Sequence, residues 1–343
     1  MKKEFGKLAD GRQTYVYILK NGGLEAHISD FGATLQRLYV PDAKGNPADI
    51  VLGFDTPEEY VKKSTFFGAI IGRNSNRVGD GQFSLNGKAY QMGKNDGCNN
   101  LHSGPDFYKN RLWSVENVDD TSICLSLESP DGDQGFPGNA TIKVTYTLED
   151  CGALSICYDA VCDQDTVFNM TNHSYFNLAG HDKPEQAMDM LLHMPARFFT
   201  PADKASIPTG ECRSVEGTPM DFRTPKSIGR DIGTDYDALN LQRGYDHNFE
   251  VPDDLCAVLT DPVSGRCMTI TTDCPGVQFY SGNYLAGETG KDGVSYCYRS
   301  GICLETQYFP NAINQPEWKQ PVIRAGKPYH SETRYIFTAA SQR

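Results

Sequence analysis

Long apolar runs are missing from this 343-residue chain. No stretch approaches the ~20 apolar residues that a membrane-spanning helix needs. The start, Met1-Lys2-Lys3-Glu4-Phe5-Gly6, lacks the apolar centre of a signal peptide. No membrane association is expected. Tryptophan is scarce, with only Trp113 and Trp318, which weighs against a module that binds sugar on an exposed indole platform. Positive charge is in deficit: 32 Lys and Arg against 44 Asp and Glu, a net charge of −12. Such a surface repels phosphate backbones, so no nucleic-acid partner is expected. An anionic substrate would need a local basic pocket to override that field. Neither Gly-x-Gly-x-x-Gly nor a P-loop is present, and no Gly-x-Ser-x-Gly nucleophile elbow occurs. The eleven cysteines include no Cys-x-x-Cys and no Cys/His cluster of zinc-site spacing. Inert thiols in a reduced, cytoplasmic chain are the expectation.

What the chain has in abundance is period-two alternation. Ile142, Val144, Tyr146 and Leu148 alternate with polar residues, as do Leu154, Ile156 and Tyr158, and Ile123, Leu125 and Leu127. Strands with one buried face read this way. Asn86-Gly87 between two short strand runs is a hairpin signal. Asn21-Gly22-Gly23 and Val263-Ser264-Gly265-Arg266 read as further turns. Helical signals are few. Thr56-Pro57-Glu58-Glu59-Tyr60 has a cap residue, a first-turn proline and two acids, and 237–242 reads as another helical turn. The loop 131–138 superficially suggests a calcium loop but lacks the ligand spacing. The pattern predicts one large all-β domain over 1–343 with few short helices. A closed barrel and a two-layer sandwich both remain open, as do monomer and homodimer.

Several polar residues stand in or beside strand-like runs. In Thr171-Asn172-His173-Ser174-Tyr175-Phe176-Asn177, period two puts His173 and Tyr175 on one face, in line with Thr171 and Asn177. Imidazole titrates near 6.5 and can donate a proton near neutrality. Glu305 lies in an apolar and aromatic neighbourhood, where burial would raise its pKa and make it a usable base. His102 sits in a turn-rich loop, Asn76-Arg77 in another, with Arg73 close by in sequence. Asp246 can accept from two adjacent hydroxyls or serve as a turn residue, and Gln278 is a lone polar group in a strand run. Fixed donors and acceptors around one acid and one base suit a hydroxylated, uncharged ligand, which points to a sugar. Glu305 with Asp246 would also supply the two carboxylates of a glycoside hydrolase.

The runs 72–78, 100–102, 132–139, 171–178, 245–249, 277–283 and Leu304-Glu305-Thr306-Gln307 resemble the aldose 1-epimerase (galactose mutarotase) family, in its order and over nearly the whole chain. The resemblance implies the large antiparallel β-sandwich of the galactose mutarotase-like supersandwich type. It implies interconversion of the α and β anomers of glucose or galactose, with Glu305 as base and His173 as acid. It places Asn76, Arg77, His102, Tyr175, Asp246 and Gln278 on substrate, and it implies no cofactor and no metal. Tyr175 and Phe279 are expected to offer aromatic faces to the ring. Ser103 departs from the family's Leu-His-Gly-Gly, which leaves the sugar preference open. Relatives that act on phosphorylated hexoses would need further basic groups, for which Arg73 and Lys109 are the candidates.

Overall fold

The computed structural model describes residues 1–253 and 255–339. Turn chemistry sets the strand layout. Gln13–Asn21 and Leu24–Ser29 are joined by Gly22 (φ 57°) and Gly23 (φ 85°). Gln82–Leu85 and Lys88–Gln91 are joined by Asn86 (φ 52°) and Gly87 (φ 76°). Two successive positive φ values match the type I′ turn, whose twist suits the flanking strands. Both hairpins are where the sequence predicts them.

Three antiparallel sheets dominate. One of nine strands runs Ser114–Val118, Ser122–Ser129, Ala140–Glu149, Ala153–Cys162, Tyr329–Ala339, Arg266–Thr272, Leu255–Thr260, Leu191–His193, Lys226–Ser227. One of six runs Tyr175–Phe176, Ile302–Gln307, Gly276–Tyr280, Asp246–Glu250, Phe198–Thr200, Arg213–Ser214. A five-stranded sheet holds the first strands, from Lys2–Lys7 to Pro47–Asp49. The nine- and six-stranded sheets pack face to face. The Phe176 ring lies 5.3 Å from that of Tyr335, and the Thr306 and Thr333 hydroxyls meet at 2.5 Å. The sandwich, not the barrel, is therefore the architecture.

Strand Ile302–Gln307 is buried along its whole length. Alternation sends Thr306, with Ile302 and Leu304, toward the nine-stranded sheet. Cys303, Glu305 and Gln307 point to the other face, which is buried under loops. Glu305 pairs in register with Gln278, and Cys303 with Tyr175 and Tyr280. The run 171–178 is not one strand. Thr171–Asn172 pairs with Ile70–Ile71, Tyr175–Phe176 pairs with Ile302–Gln307, and His173 and Ser174 bridge the two.

The two expected helices are present. In α1 (Pro57–Lys62), the Thr56 hydroxyl accepts from the Glu59 amide while the Glu59 carboxylate accepts from the Thr56 amide. This is the capping box, with proline in the first turn. The second, α2, spans Asp237–Gln242.

Two buried cations pin loops to sheets. Arg73 is fully buried, and its guanidinium donates to the carbonyls of Ser129, Pro137 and Gly138. The 131–138 loop thus wraps an arginine. Lys291 Nζ donates to Asp49 Oδ2 at 2.5 Å and to the carbonyls of Gln36 and Val51. Removing Lys291 leaves the buried Asp49 carboxylate with only Arg37, at 3.5 Å, to offset its charge. Lys291→Met should cost about 3–5 kcal/mol in urea unfolding. Adding Asp49→Asn should recover much of that loss, because the orphaned charge is then gone; a double variant no more stable than the single would refute the assignment.

Candidate active site

A cavity of about 170 Å³ opens on the covered face of the six-stranded sheet. Its floor is built from strand residues. Tyr175, Glu305, Tyr280 and Asp246 all line it, and the sheet register places them side by side. Loops supply the walls: Asn76 and Arg77, His102, and His173 from the break between its two short strands. The structure thus gathers seven of the eight residues expected from the sequence around one space.

Gln278 is the exception. It does not line the cavity. Its Nε2 donates to Asp246 Oδ1 at 2.7 Å, so it holds a wall residue in place. Register puts it on the cavity face, opposite Glu305 and Asn248, but its amide is turned to Asp246 and its Oε1 is buried without a protein partner. Phe279 also departs from expectation. Period two turns it to the core, where it stacks on Tyr245 at 5.0 Å, and its neighbour Tyr280 takes the wall instead.

Glu305 and His173 are the centre. Glu305 Oε1 lies 3.6 Å from His173 Nε2, and both side chains are almost wholly buried. That gap is too long for a direct hydrogen bond. Glu305 Oε2 has no partner in the protein, an unusual state for a buried carboxylate oxygen and one that marks it for a ligand. Burial pushes the Glu305 carboxyl well above the ordinary carboxylate range; Asp246 adds repulsion, and Arg77 offsets part of it. Burial likewise lowers the His173 imidazole to about 4. Burial thus raises the carboxyl and lowers the imidazole side by side, and their titration belongs to the pair.

His102 is a different kind of histidine. Its Nδ1 accepts from the Asn76 backbone amide at 3.1 Å, while its own amide donates to the Asn76 carbonyl at 2.9 Å. Burial, with His173 and Arg77 nearby, holds it well below the usual histidine range. A neutral ring whose Nδ1 accepts must carry its proton on Nε2. His102 is thus a fixed donor. This bears on metal binding, because His102, His173 and Glu305 offer ligand atoms within 4.8 Å of one another. A metal needs a bare imidazole lone pair, and the Asn76 amide occupies the one His102 has. The trio suits an uncharged hydroxylated ligand better than a cation.

The remaining groups are held as neutral or paired donors and acceptors. Arg77 Nε donates to Asp96 Oδ2 at 2.7 Å. Asp246 is pushed up by burial, with Arg77 and the Gln278 bond pulling it back. Tyr175 stacks on His173 at 5.2 Å, and burial keeps its phenol protonated. Arg73 and Lys109 do not reach the cavity wall; both are buried and engaged with backbone carbonyls.

The wall also contains residues that sequence reasoning did not single out: Thr65, Phe66, Tyr280, Tyr284, Leu285 and Glu288. Tyr280 carried a usable signal, since it lies two residues from Gln278 on the same strand face. Thr65 and Phe66 carried none, because they follow a short helix in a loop. Thr65 Oγ1 is buried with no protein partner, as befits a group that meets a ligand hydroxyl.

A β-sandwich that gathers a buried carboxylate, two buried imidazoles, an arginine and several neutral hydrogen-bonding groups around one cavity suits acid/base chemistry on a sugar. The chain belongs to the aldose 1-epimerase family, whose sequence model matches residues 15–336. It is 40% identical over 342 residues to galactose mutarotase of Sus scrofa, covering 98% of each chain. It is 35% identical over 348 residues to aldose 1-epimerase of Escherichia coli, covering 99% of this chain and 100% of that one. Among solved structures, an aldose epimerase homologue from C. elegans superposes with a TM-score of 0.89 at 32% identity, over 96% of this chain and 100% of that one. Galactose 1-epimerase from Lactobacillus acidophilus superposes with a TM-score of 0.86 at 26% identity, over 98% of each chain. No helix among the described residues is long and apolar enough to cross a membrane.

The hydrogen bonding of His102 has a direct spectroscopic consequence. In ¹⁵N-histidine NMR of the free protein, His102 should show the Nε2–H tautomer and stay neutral well below the ordinary histidine range. An Nδ1–H pattern would contradict the bond from Asn76.

Proposed function

We propose that this protein, acting as one domain, interconverts the α and β anomers of a free aldohexose of the glucose or galactose type. Glu305 is the base and His173 the acid. The observation that carries this reading is the buried Glu305–His173 pair, 3.6 Å apart on the wall of a cavity of about 170 Å³. The two oxygens that must exchange protons, the C1 hydroxyl and the ring oxygen, are both bonded to C1. Neighbouring acid and base groups can therefore reach both at once.

In the forward step ionised Glu305 takes the C1 hydroxyl proton and the His173 imidazolium gives one to the ring oxygen. The C1–O5 bond breaks, leaving an open-chain aldehyde, a protonated carboxyl and a neutral imidazole. Rotation about C1–C2 presents the other carbonyl face. Closure then returns both protons. The pair holds one proton throughout. Left alone, burial favours the neutral carboxyl and neutral imidazole, which is the protonation state of the open-chain stage. The empty site is thus arranged for the intermediate rather than the substrate, as efficient catalysis requires. Neutral His102 and the Arg77 guanidinium stabilise charge developing on the ring oxygen. Asp246, braced by Gln278, anchors hydroxyls away from C1.

The cavity is smaller than the roughly 300–1,000 Å³ usual for larger ligands, which favours a single pyranose. Its acids, Asp246, Glu288 and Glu305, face Arg77 and two histidines, with no lysine among the described lining residues. A phosphorylated hexose is disfavoured by that balance. The sugar named in the mammalian relatives supports galactose as a substrate, and mutarotation rates on glucose, galactose, maltose and glucose 6-phosphate will rank the candidates. Release of reducing sugar from a glycoside would instead favour the hydrolase reading.

Glu305→Gln should reduce anomer exchange by about 10²–10⁴-fold with the fold intact, the usual worth of positioned proton transfer. Polarimetry on freshly dissolved α-galactose reads this directly, and near wild-type exchange would remove Glu305 as base. The pH profile follows from the shared proton. Below the His173 value of about 4 the pair takes a second proton, no base remains, and the rate falls. Above the raised Glu305 value the pair loses its only proton, no acid remains, and the rate falls again. Burial raises the carboxyl and lowers the imidazole, which supports the imidazole as the group behind the acid limb. A rate that holds steady as pH drops through 4 would contradict the pair.

A further inference from the structure

Phe66 occupies an uncommon place. Its backbone is left-handed, with φ 59°, a conformation that bulky side chains rarely adopt and that clusters at functional sites. The ring packs beside both histidines, which themselves meet edge to face at 5.2 Å. Its centroid is 4.9 Å from His102 and 5.6 Å from His173, nearly parallel to the latter at 21°. It also lines the cavity. Phe66 therefore packs against both imidazoles at the cavity wall.

Behind Phe66 is a second oddity. Lys109 is a buried lysine, and among the described residues no carboxylate pairs with its ammonium. Burial alone lowers it to about 8. An unpaired buried cation is costly, so its contacts must justify its position. Nζ donates to the carbonyls of Tyr60 at 3.0 Å and Lys63 at 3.1 Å. These carbonyls close the C-terminal end of α1, where helix oxygens otherwise lack partners. Nζ also stands 5.3 Å from the Phe66 ring centroid and 6.0 Å from that of Phe107, within cation–π range. The Lys109 backbone is itself fixed, since a Cβ on Gly32 would fall 2.7 Å from its carbonyl oxygen. The chain from Lys63 to Phe66 thus leaves the helix with one end clamped and its ring held against a cation.

We propose that Phe66 is a positioning residue for the two imidazoles, and that the buried ammonium of Lys109 holds it in that position. The proposal rests on His173 as the proton donor to the ring oxygen. A ring stacked on His173 fixes the plane of the imidazole and so the direction of Nε2. It also excludes water, which keeps the imidazole easy to deprotonate. The charged and titratable groups facing His173 are Glu305 across the cavity, His102 and Arg77 on the loop walls, Asp246 on the floor, and Tyr175 and Cys303 beside the ring. Lys109 stands behind the aromatic ring, so its effect on His173 passes through Phe66.

Three variants test this: Phe66→Gly, Phe66→Leu and Lys109→Met. Glycine accepts the left-handed backbone without strain, so Phe66→Gly keeps the chain path while removing the cover. Lys109→Met keeps the stem and removes the charge and both hydrogen bonds. In ¹⁵N-histidine titrations His173 should move up from about 4 toward the ordinary 6.5 in Phe66→Gly, and part of the way in Lys109→Met. The acid limb of the rate should move with it. The kcat should fall about 10- to 100-fold, the scale of a misplaced catalytic group, with KM less affected; Phe66→Leu, which retains apolar cover, should lie between. If Lys109→Met fails to fold, the Phe66 pair still decides the case. An unchanged His173 titration and kcat in Phe66→Gly would overturn the role of Phe66. A Lys109→Met protein that loses only thermal stability would overturn the role of Lys109. The titration is read without sugar, so a shift in Phe66→Gly alongside full activity in Glu305→Gln would sink the catalytic assignment and leave the positioning intact.

Discussion

The structure is organised around the cost of burying two proton-binding groups side by side. In water Glu305 would be ionised and His173 would titrate near neutrality. Inside the sandwich each loses the solvent that stabilises its charge. The carboxyl is pushed up and the imidazole down, and the two titrate as a pair. No third charged group neutralises the pair outright, because Arg77 is already engaged with Asp96. That balance makes a pair able to pass protons in either direction, which a reversible ring opening needs.

Keeping the pair dry requires a rigid surround, and the fold supplies it in layers. A strand buried on both faces presents Glu305 to one side and Thr306 to the other. The opposite sheet cannot shift without breaking the packing of Phe176 on Tyr335. On the cavity side, polar neighbours are held in fixed states. His102 is locked as a donor by a backbone amide, and Gln278 steadies Asp246. Buried Arg73 and Lys291 tie the covering loops to the sheets through backbone carbonyls. These cations serve the architecture, which explains why a sequence with several candidate basic residues has so little positive charge facing its cavity.

Local chemistry made much of this readable in advance. Asn86-Gly87 specified its hairpin because both positions tolerate positive φ. Thr56-Pro57 with Glu59 specified a helix start because cap and proline satisfy the same orphan donors. Alternation marked Glu305 and Tyr175 as opposite in direction to their apolar neighbours. Other features had no local trace. Phe66 follows a helix in an unpatterned loop, and only folding sets it against both His102 and His173. Lys109 reads as an ordinary surface lysine until α1 is seen to end against it. Gln278 and Phe279 were assigned to the sugar by motif, yet the amide of the first is turned to Asp246 and the pleat turns the second to the core.

The amino-acid sequence alone settled the class of structure, the places of its turns and short helices, and the identity of most groups able to do chemistry. It could do so because dihedral preference, capping and strand alternation act over a few neighbouring residues. Tertiary structure alone decided sandwich over barrel, which residues border one shared space, and the opposite directions in which burial pushes Glu305 and His173. Those outcomes depend on desolvation and on contacts between segments more than a hundred residues apart, and neither exists until the sheets close on one another.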